Sequence, residues 1–420
     1  MVEMLQRGRH SNGLKPFDIR RIQRFFDPRQ LQIYEFASRL SQAFERRESL
    51  AEIIRGNNVF DTDTTGRLLR ASSLASAGDR DTIVKIFEDN GISINFSIFF
   101  DVGSTGVHSP VGLIVNRIDF DNRRFLTLVS PNGFYGAGYS AHTSHFDGRI
   151  TGASDIVVLE LGSILFKLAQ FEILSEPSFY FKQVPSQEYQ TLFSSFFSCL
   201  DTLYTVQLSG NSFGQNVAFE IALKLTEFFG SLSYELKALL EDFFVCYYFA
   251  KRFLGEHASL DDLDRVRLLL RFTAFHESSH IIQIKNSVGR PAIDLIPNHL
   301  SAEASAYLAT LCFADLTLAL NDIYGHRKID SYTGLAVFCL EPTLCYLFED
   351  PNWFTLAIVD HHLLRSAARS HLIRTEVYGI GEADLATLQR TAHSFDTFDF
   401  IGGQNRELVD DLKKVVRDCI

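Results

Sequence analysis

The 420-residue chain has little methionine (2), one tryptophan and only 10 prolines. Its six cysteines (Cys199, Cys246, Cys312, Cys339, Cys345 and Cys419) are scattered, and no CxxC pair occurs. A zinc ribbon and a thioredoxin-type redox site are therefore not expected; the cysteines read as free thiols of a reducing compartment. The first 17 residues lack an apolar core, so no secretory leader is expected. The most apolar stretches, Leu236–Leu254 and Leu335–Val359, are interrupted by charges such as Lys237, Glu241 and Asp242, or Glu341 and Glu349. Neither approaches ~18 uninterrupted apolar residues, so no membrane span is expected. Positive charge is also in deficit, 40 Lys+Arg against 51 Asp+Glu, for a net charge of −11. Such a chain is repelled by phosphate backbones, which makes nucleic acid a poor partner. Together these absences point to a soluble, cytoplasmic globular protein.

The chain is rich in phenylalanine, with 38 residues, and the plain expectation is a core filled by it. From Lys15 to about Ile54 the pattern is largely helical, with Ile33, Phe36, Leu40 and Phe44 spaced by three and four, and Pro28 separates a short first helix from this second one. The character changes near residue 82. Ser93–Phe100, Val111–Phe120, Arg124–Val129 and Asp155–Leu161 read as strands, with Asp121-Asn122 as a hairpin turn. Gly133–Gly152 is too rich in glycine for an ordinary core strand and reads as a long loop. From Ser163 onward helices dominate: Gln215–Phe229, Leu232–Leu254, Leu260–Ile284, Ala302–Asn321 and Asp384–Phe395. The fold expected is α+β. It has an amino-terminal helical segment (1–81), a central, mostly antiparallel β-rich domain (82–162) and a mostly helical carboxy-terminal domain (163–420).

One constellation carries chemistry. His276-Glu277-Ser278-Ser279-His280 is an HExxH motif within a helical stretch. Residues i and i+4 share a helix face, so both imidazoles can be turned to one ion. Zinc favours neutral nitrogen ligands at ~2.0–2.1 Å. Glu277 follows the first histidine by ~100° of rotation, which places it beside such an ion in the position of a general base. Chance predicts roughly 0.02 copies of the pattern in a chain of this composition. Ser259 with Asp262 resembles a capping box that starts the helix, and Asn286 and Gly289 offer its stop.

A catalytic zinc site built on two histidines needs a third protein ligand and an open position. Gln283 and Asn286 stand where a metzincin would carry glycine and histidine, which excludes that class. Glu303, 23 residues after His280, is the better candidate, set among the small residues Ala302, Ala304, Ser305 and Ala306. Tyr307, one turn beyond it, is a candidate oxyanion donor or partner of a ligand. His361, His362, His371, Tyr324 and His326 carry no spacing argument. His142 and His145, with His108, form a weaker metal-binding possibility in a loop.

These residues resemble the gluzincin group of zinc metallopeptidases. The likeness lies in His276-Glu277-x-x-His280 followed by Glu303, extended by Gln283 and Glu303-Ala304-Ser305-Ala306 into an HExxHxxQ…EAxA pattern, and covers about residues 262–320. It implies a zincin-like carboxy-terminal domain with Zn2+ held by His276, His280 and Glu303. It further implies Glu277 as catalytic base and hydrolysis of a peptide bond in an intracellular protein or peptide by zinc-activated water. Two other readings remain open from the residues alone. One is a non-catalytic helical interaction protein with a structural or vestigial metal site, to which His299 could add a fourth ligand. The other is hydrolysis of a non-peptide amide.

Overall fold

In the computed structural model the described residues are 26–131 (except 75, 95, 97–98, 101–106, 109–110 and 121–122), 138–142, 154–182, 187–208, most of 217–287, 306–325, and parts of 365–370, 386 and 410–417. The structure is α+β, and the chain divides into two compact units. One comprises Pro16–Ile164 with Thr391–Leu408; the other comprises Met1–Lys15, Leu165–Arg390 and Val409–Ile420.

The first unit opens with four helices, α1 (Pro28–Glu45), α2 (Leu50–Arg55), α3 (Thr62–Ala71) and α4 (Ala77–Glu88). Pro28 occupies the first turn of α1, where a missing N–H costs nothing, and Asp27 caps it by accepting from the Arg29 and Gln30 N–H groups at 2.9 and 3.0 Å. Ile33, Phe36, Ala37 and Leu40 form its buried face. Phe36, Phe60 and Phe87 meet in a triangle of rings with centroids 5.6–5.9 Å apart. Ser76 and Asp79 close a reciprocal capping box on α4.

The strands are β1 (Ile92–Ile94), β2 (Phe99–Phe100), β3 (Val107–His108), β4 (Val111–Phe120), β5 (Arg123–Ser130), β6 (Gly138–His142) and β7 (Ser154–Glu160). They form a five-stranded sheet in the order β1-β4-β5-β7-β6 and a separate β2–β3 pair. Helices α1 and α4 lie against β1, and α1 also against β4, so the amino-terminal helices and the sheet share one unit. Phe120 faces Arg123 across β4 and β5, leaving two residues for the connection. Most pairings are antiparallel, as expected, but β5 and β7 run parallel, from Arg124 opposite Ser154 to Ser130 opposite Glu160. Leu126, Thr127, Leu128 and Val129 of β5, and Ile156 to Leu159 of β7, are all buried, so both faces of this pair are covered. That is the setting in which strands read as unbroken apolar runs. The Gly133–Gly152 segment is not wholly a loop: β6 lies within it, on the sheet edge against β7. Gly112 is required where β4 meets β5, since a Cβ there would stand 2.8 Å from that of Leu128.

The second unit is built from most of α5 (Leu161–Leu174), with α6 (Pro177–Phe181), α7 (Gln187–Leu208), α8 (Tyr234–Glu256), α9 (Asp262–Ser287), helical residues 306–313 and α10 (Leu316–Gly325). Phenylalanine does fill this core. Tyr180, Phe193, Phe197, Phe243 and Tyr247 pack ring on ring, and residues 243–250 of α8 are buried all round. No helix among the described residues is long and apolar enough to cross a membrane. The stretch Ala302–Asn321, expected as one helix, is broken at Ala314–Asp315. Asp315 turns its carboxylate to the Leu318 N–H (2.9 Å) to start α10, while the Arg365 guanidinium takes the carbonyls of Cys312 (3.1 Å) and Ala314 (2.8 Å). A cap and a tertiary donor together end one helix and begin another.

Candidate metal centre

Helix α9 carries the HExxH residues. Asp261, not Ser259, caps it by accepting from the Asp264 N–H at 2.8 Å, so the helix begins at Asp262. Ion pairs Arg265–Asp262 (3.2 Å) and Arg267–Asp264 (2.7 Å) brace its first turns. Val266, Leu269, Leu270, Phe272, Ala274 and Phe275 are buried. The hydroxyls of Thr273 and Ser279 are satisfied within the helix by the carbonyls of Leu269 and Phe275, each at 3.0 Å. His276, Glu277 and His280 are half-buried.

The two imidazoles converge. His276 Nε2 and His280 Nε2 are 3.2 Å apart, with ring centroids at 4.9 Å and planes at 79°. Two nitrogens bound tetrahedrally to one ion at ~2.0–2.1 Å are separated by about 3.3 Å, so the spacing of the pair matches that of two ligands of one cation. The same spacing lets one ring donate a proton to the other. Glu277, one residue on, is turned ~100° about the helix from His276. Tyr307, in helical residues 306–313, is 1% exposed, and its ring centroid lies 5.0 Å from that of His276 at 62°.

Three further contacts fix this neighbourhood. Phe275 stacks on Phe313 (5.9 Å, 28°), which holds helical residues 306–313 to α9. Lys167 of α5 pairs with Asp322 of α10 at 3.0 Å, and its ammonium lies 5.4 Å from the Phe272 ring centroid, one turn before His276. Glu303, Gln283's side chain, His299, His145, His326, His361, His362 and His371 lie outside the described residues. Tyr324 falls in α10, while His108 and His142 fall on β3 and β6, which belong to different sheets.

A second polar group was not anticipated. Glu256, His257 and Asp315 bring their potential ligand atoms within 4.8 Å of one another. Their oxygens are already engaged. Glu256 accepts from the buried Arg252 (Nε to Oε1, 2.6 Å) and from the Thr317 hydroxyl (2.6 Å). Asp315 accepts from Leu318 N–H and stands 2.7 Å from His257 Nε2. Burial pushes the Asp315 carboxyl up, but the His257 hydrogen bond, the Leu318 N–H and the nearby positive charges outweigh it and hold it below its ordinary value. With Arg252 supplying the matching charge, the group works as a clasp between α8 and α10. The sequence hint was an Asp directly before the apolar run of α10. Elsewhere, burial pushes the Cys312 thiol up to about 12, which makes it inert.

No family model, curated protein or solved structure matches this chain.

Proposed function

We propose that the chain is a zinc-dependent metallopeptidase, most simply an endopeptidase acting on a cytoplasmic protein or peptide, with a gluzincin-like helical domain. The observation that carries this reading is the 3.2 Å approach of His276 Nε2 to His280 Nε2, with the Glu277 carboxylate on the next residue of the same helix. A purely structural metal site has no use for that acid.

His276, His280 and Glu303 would hold the ion. When bound, zinc supplies Lewis acidity that draws the pKa of water toward neutrality and polarises a carbonyl. The chain's own residues do the rest. Glu277 accepts a proton from the attacking water and later delivers it to the amide nitrogen, as the C–N bond breaks to a carboxylate and an amine. The half-buried setting of α9 favours proton transfer within the site over exchange with bulk water. The acidic balance of the chain disfavours nucleic acid as substrate.

The test is metal content and peptidase activity of the purified full chain, with Glu277→Gln alongside. About one zinc per chain, and cleavage lost in the variant while zinc is retained, is the expected result. No zinc after reconstitution would overturn the reading. Zinc with hydrolysis only of small non-peptide amides would move the substrate class but keep the chemistry.

A further inference from the structure

The structure assigns Tyr307 a positioning role: its ring is the wall that fixes the His276 imidazole for metal binding. The inference deepens the metallopeptidase reading and rests on it for the identity of the bound ion. It differs from the role of oxyanion donor, because it is exercised by the ring and not by the hydroxyl.

Four observations lead there. Tyr307 is 1% exposed, so its ring is held by packing. Its centroid lies 5.0 Å from that of His276, at the 62° tilt of an edge-to-face contact. His276 also meets the His280 ring at 4.9 Å and 79°, so two rings contact the imidazole. The wall is itself anchored, because Phe313, six residues along, stacks on Phe275, the residue before His276.

A histidine side chain has two rotatable bonds, and coordination fixes both. A ligand already held in the binding rotamer gives up less entropy on binding. Groups that orient metal-binding histidines typically change affinity 10–100-fold when removed. Here the orienting contact is an aromatic face or edge, a form that tolerates loss of the hydroxyl but not loss of the ring.

The experiment compares the full-length wild type with Tyr307→Phe, Tyr307→Leu and Tyr307→Met. Zinc affinity is read by competition with a chelator. The ring-proton resonances of His276, identified by their loss in His276→Gln, are read by NMR in the metal-free protein. The expected result is wild-type-like affinity and a single ring-current-shifted His276 signal in Tyr307→Phe. In Tyr307→Leu, or in Tyr307→Met if the first variant misfolds, affinity falls about 10–100-fold and the His276 signal moves toward that of a free histidine. The proposal is overturned if Tyr307→Phe falls as far as the ringless variants, which would give the role to the hydroxyl. It is equally overturned if the ringless variants bind zinc like the wild type with the His276 signal unmoved. Absence of zinc binding in every protein, with the His276 signal responding as expected, would remove the metal reading and leave the positioning role standing.

Discussion

His257 Nε2 lies 2.7 Å from Asp315 Oδ2, joining the residue that ends α8 to the residue that starts α10. One carboxylate thus serves two ends: one oxygen meets the histidine and the other caps the following helix through the Leu318 N–H. Both links favour the ionised acid, which is why the carboxyl is held below its ordinary value despite burial.

Acid should therefore weaken this clasp. A group whose folded pKa is depressed adds stability above its unfolded value, 3.8 for Asp315, and loses it as pH falls through the lower folded value. Asp315→Ala is expected to cost about 2 kcal/mol near neutral pH, the loss of a cap plus a charged hydrogen bond. The difference from wild type should shrink steadily below about pH 4. Urea unfolding of both proteins from pH 7 to pH 3 measures this. A constant difference across that range would mean that the ionised form of Asp315 contributes nothing.

The two histidines should behave as a unit. His276→Ala and His280→Ala are each expected to abolish stoichiometric zinc binding, and the double variant should do little more than either single one, since an ion held by one imidazole alone is lost to the buffer. Glu277→Gln should keep the zinc and lower hydrolysis by about 10²–10⁴-fold, the range supplied by a positioned base. Dialysis followed by metal analysis separates the two classes of variant. Equal zinc loss in Glu277→Gln would make Glu277 a ligand and not a base.

Much of this site was legible because a helix places i and i+4 on one face whatever surrounds it, and the four-residue spacing of His276 and His280 needs no tertiary information. The same holds for β4, whose ten residues, Val111–Phe120, were bounded in the sequence as they are in the structure. What escaped was set by partners distant in the chain. The apolar run of β7 announces a strand but not that its neighbour is β5 and runs parallel to it. The break at Ala314–Asp315 depends on Arg365, some fifty residues on, taking two carbonyls. The sequence puts Tyr307 one helical turn beyond Glu303, but its ring contact with His276 is a packing fact.

The end of α1 carries a local strain that can be relieved. Arg47 has φ +58°, its N–H bonds to the Phe44 carbonyl at 3.1 Å, and the Glu48 N–H bonds to that of Ala43 at 2.8 Å. This is a Schellman ending with arginine at the left-handed position that glycine prefers. The residue is exposed, so its side chain contributes little packing. Left-handed backbone costs a residue with a Cβ about 1–2 kcal/mol, partly offset by the greater freedom of glycine in the unfolded chain. Arg47→Gly should therefore stabilise the protein by about 0.5–1 kcal/mol, read as a higher urea midpoint with unchanged slope. A loss of stability would show that the Arg47 side chain holds this turn.

Thr127 in the middle of β5 and Thr273 in α9 are both buried, yet they should respond oppositely to the same change. The Thr273 hydroxyl donates to the Leu269 carbonyl at 3.0 Å, whereas the Thr127 hydroxyl finds no hydrogen-bond partner among the described residues. A buried hydroxyl left unpaired carries a desolvation cost of about 1–3 kcal/mol, and replacing it by a methyl of similar shape removes that cost. Valine also suits a strand covered on both faces. Thr127→Val should raise stability by about 1 kcal/mol, while Thr273→Val, which gives up a made bond, should be neutral or lower it. Thermal melts of the two variants beside wild type decide the matter, and a fall in stability for Thr127→Val would mean that its hydroxyl is paired in solution.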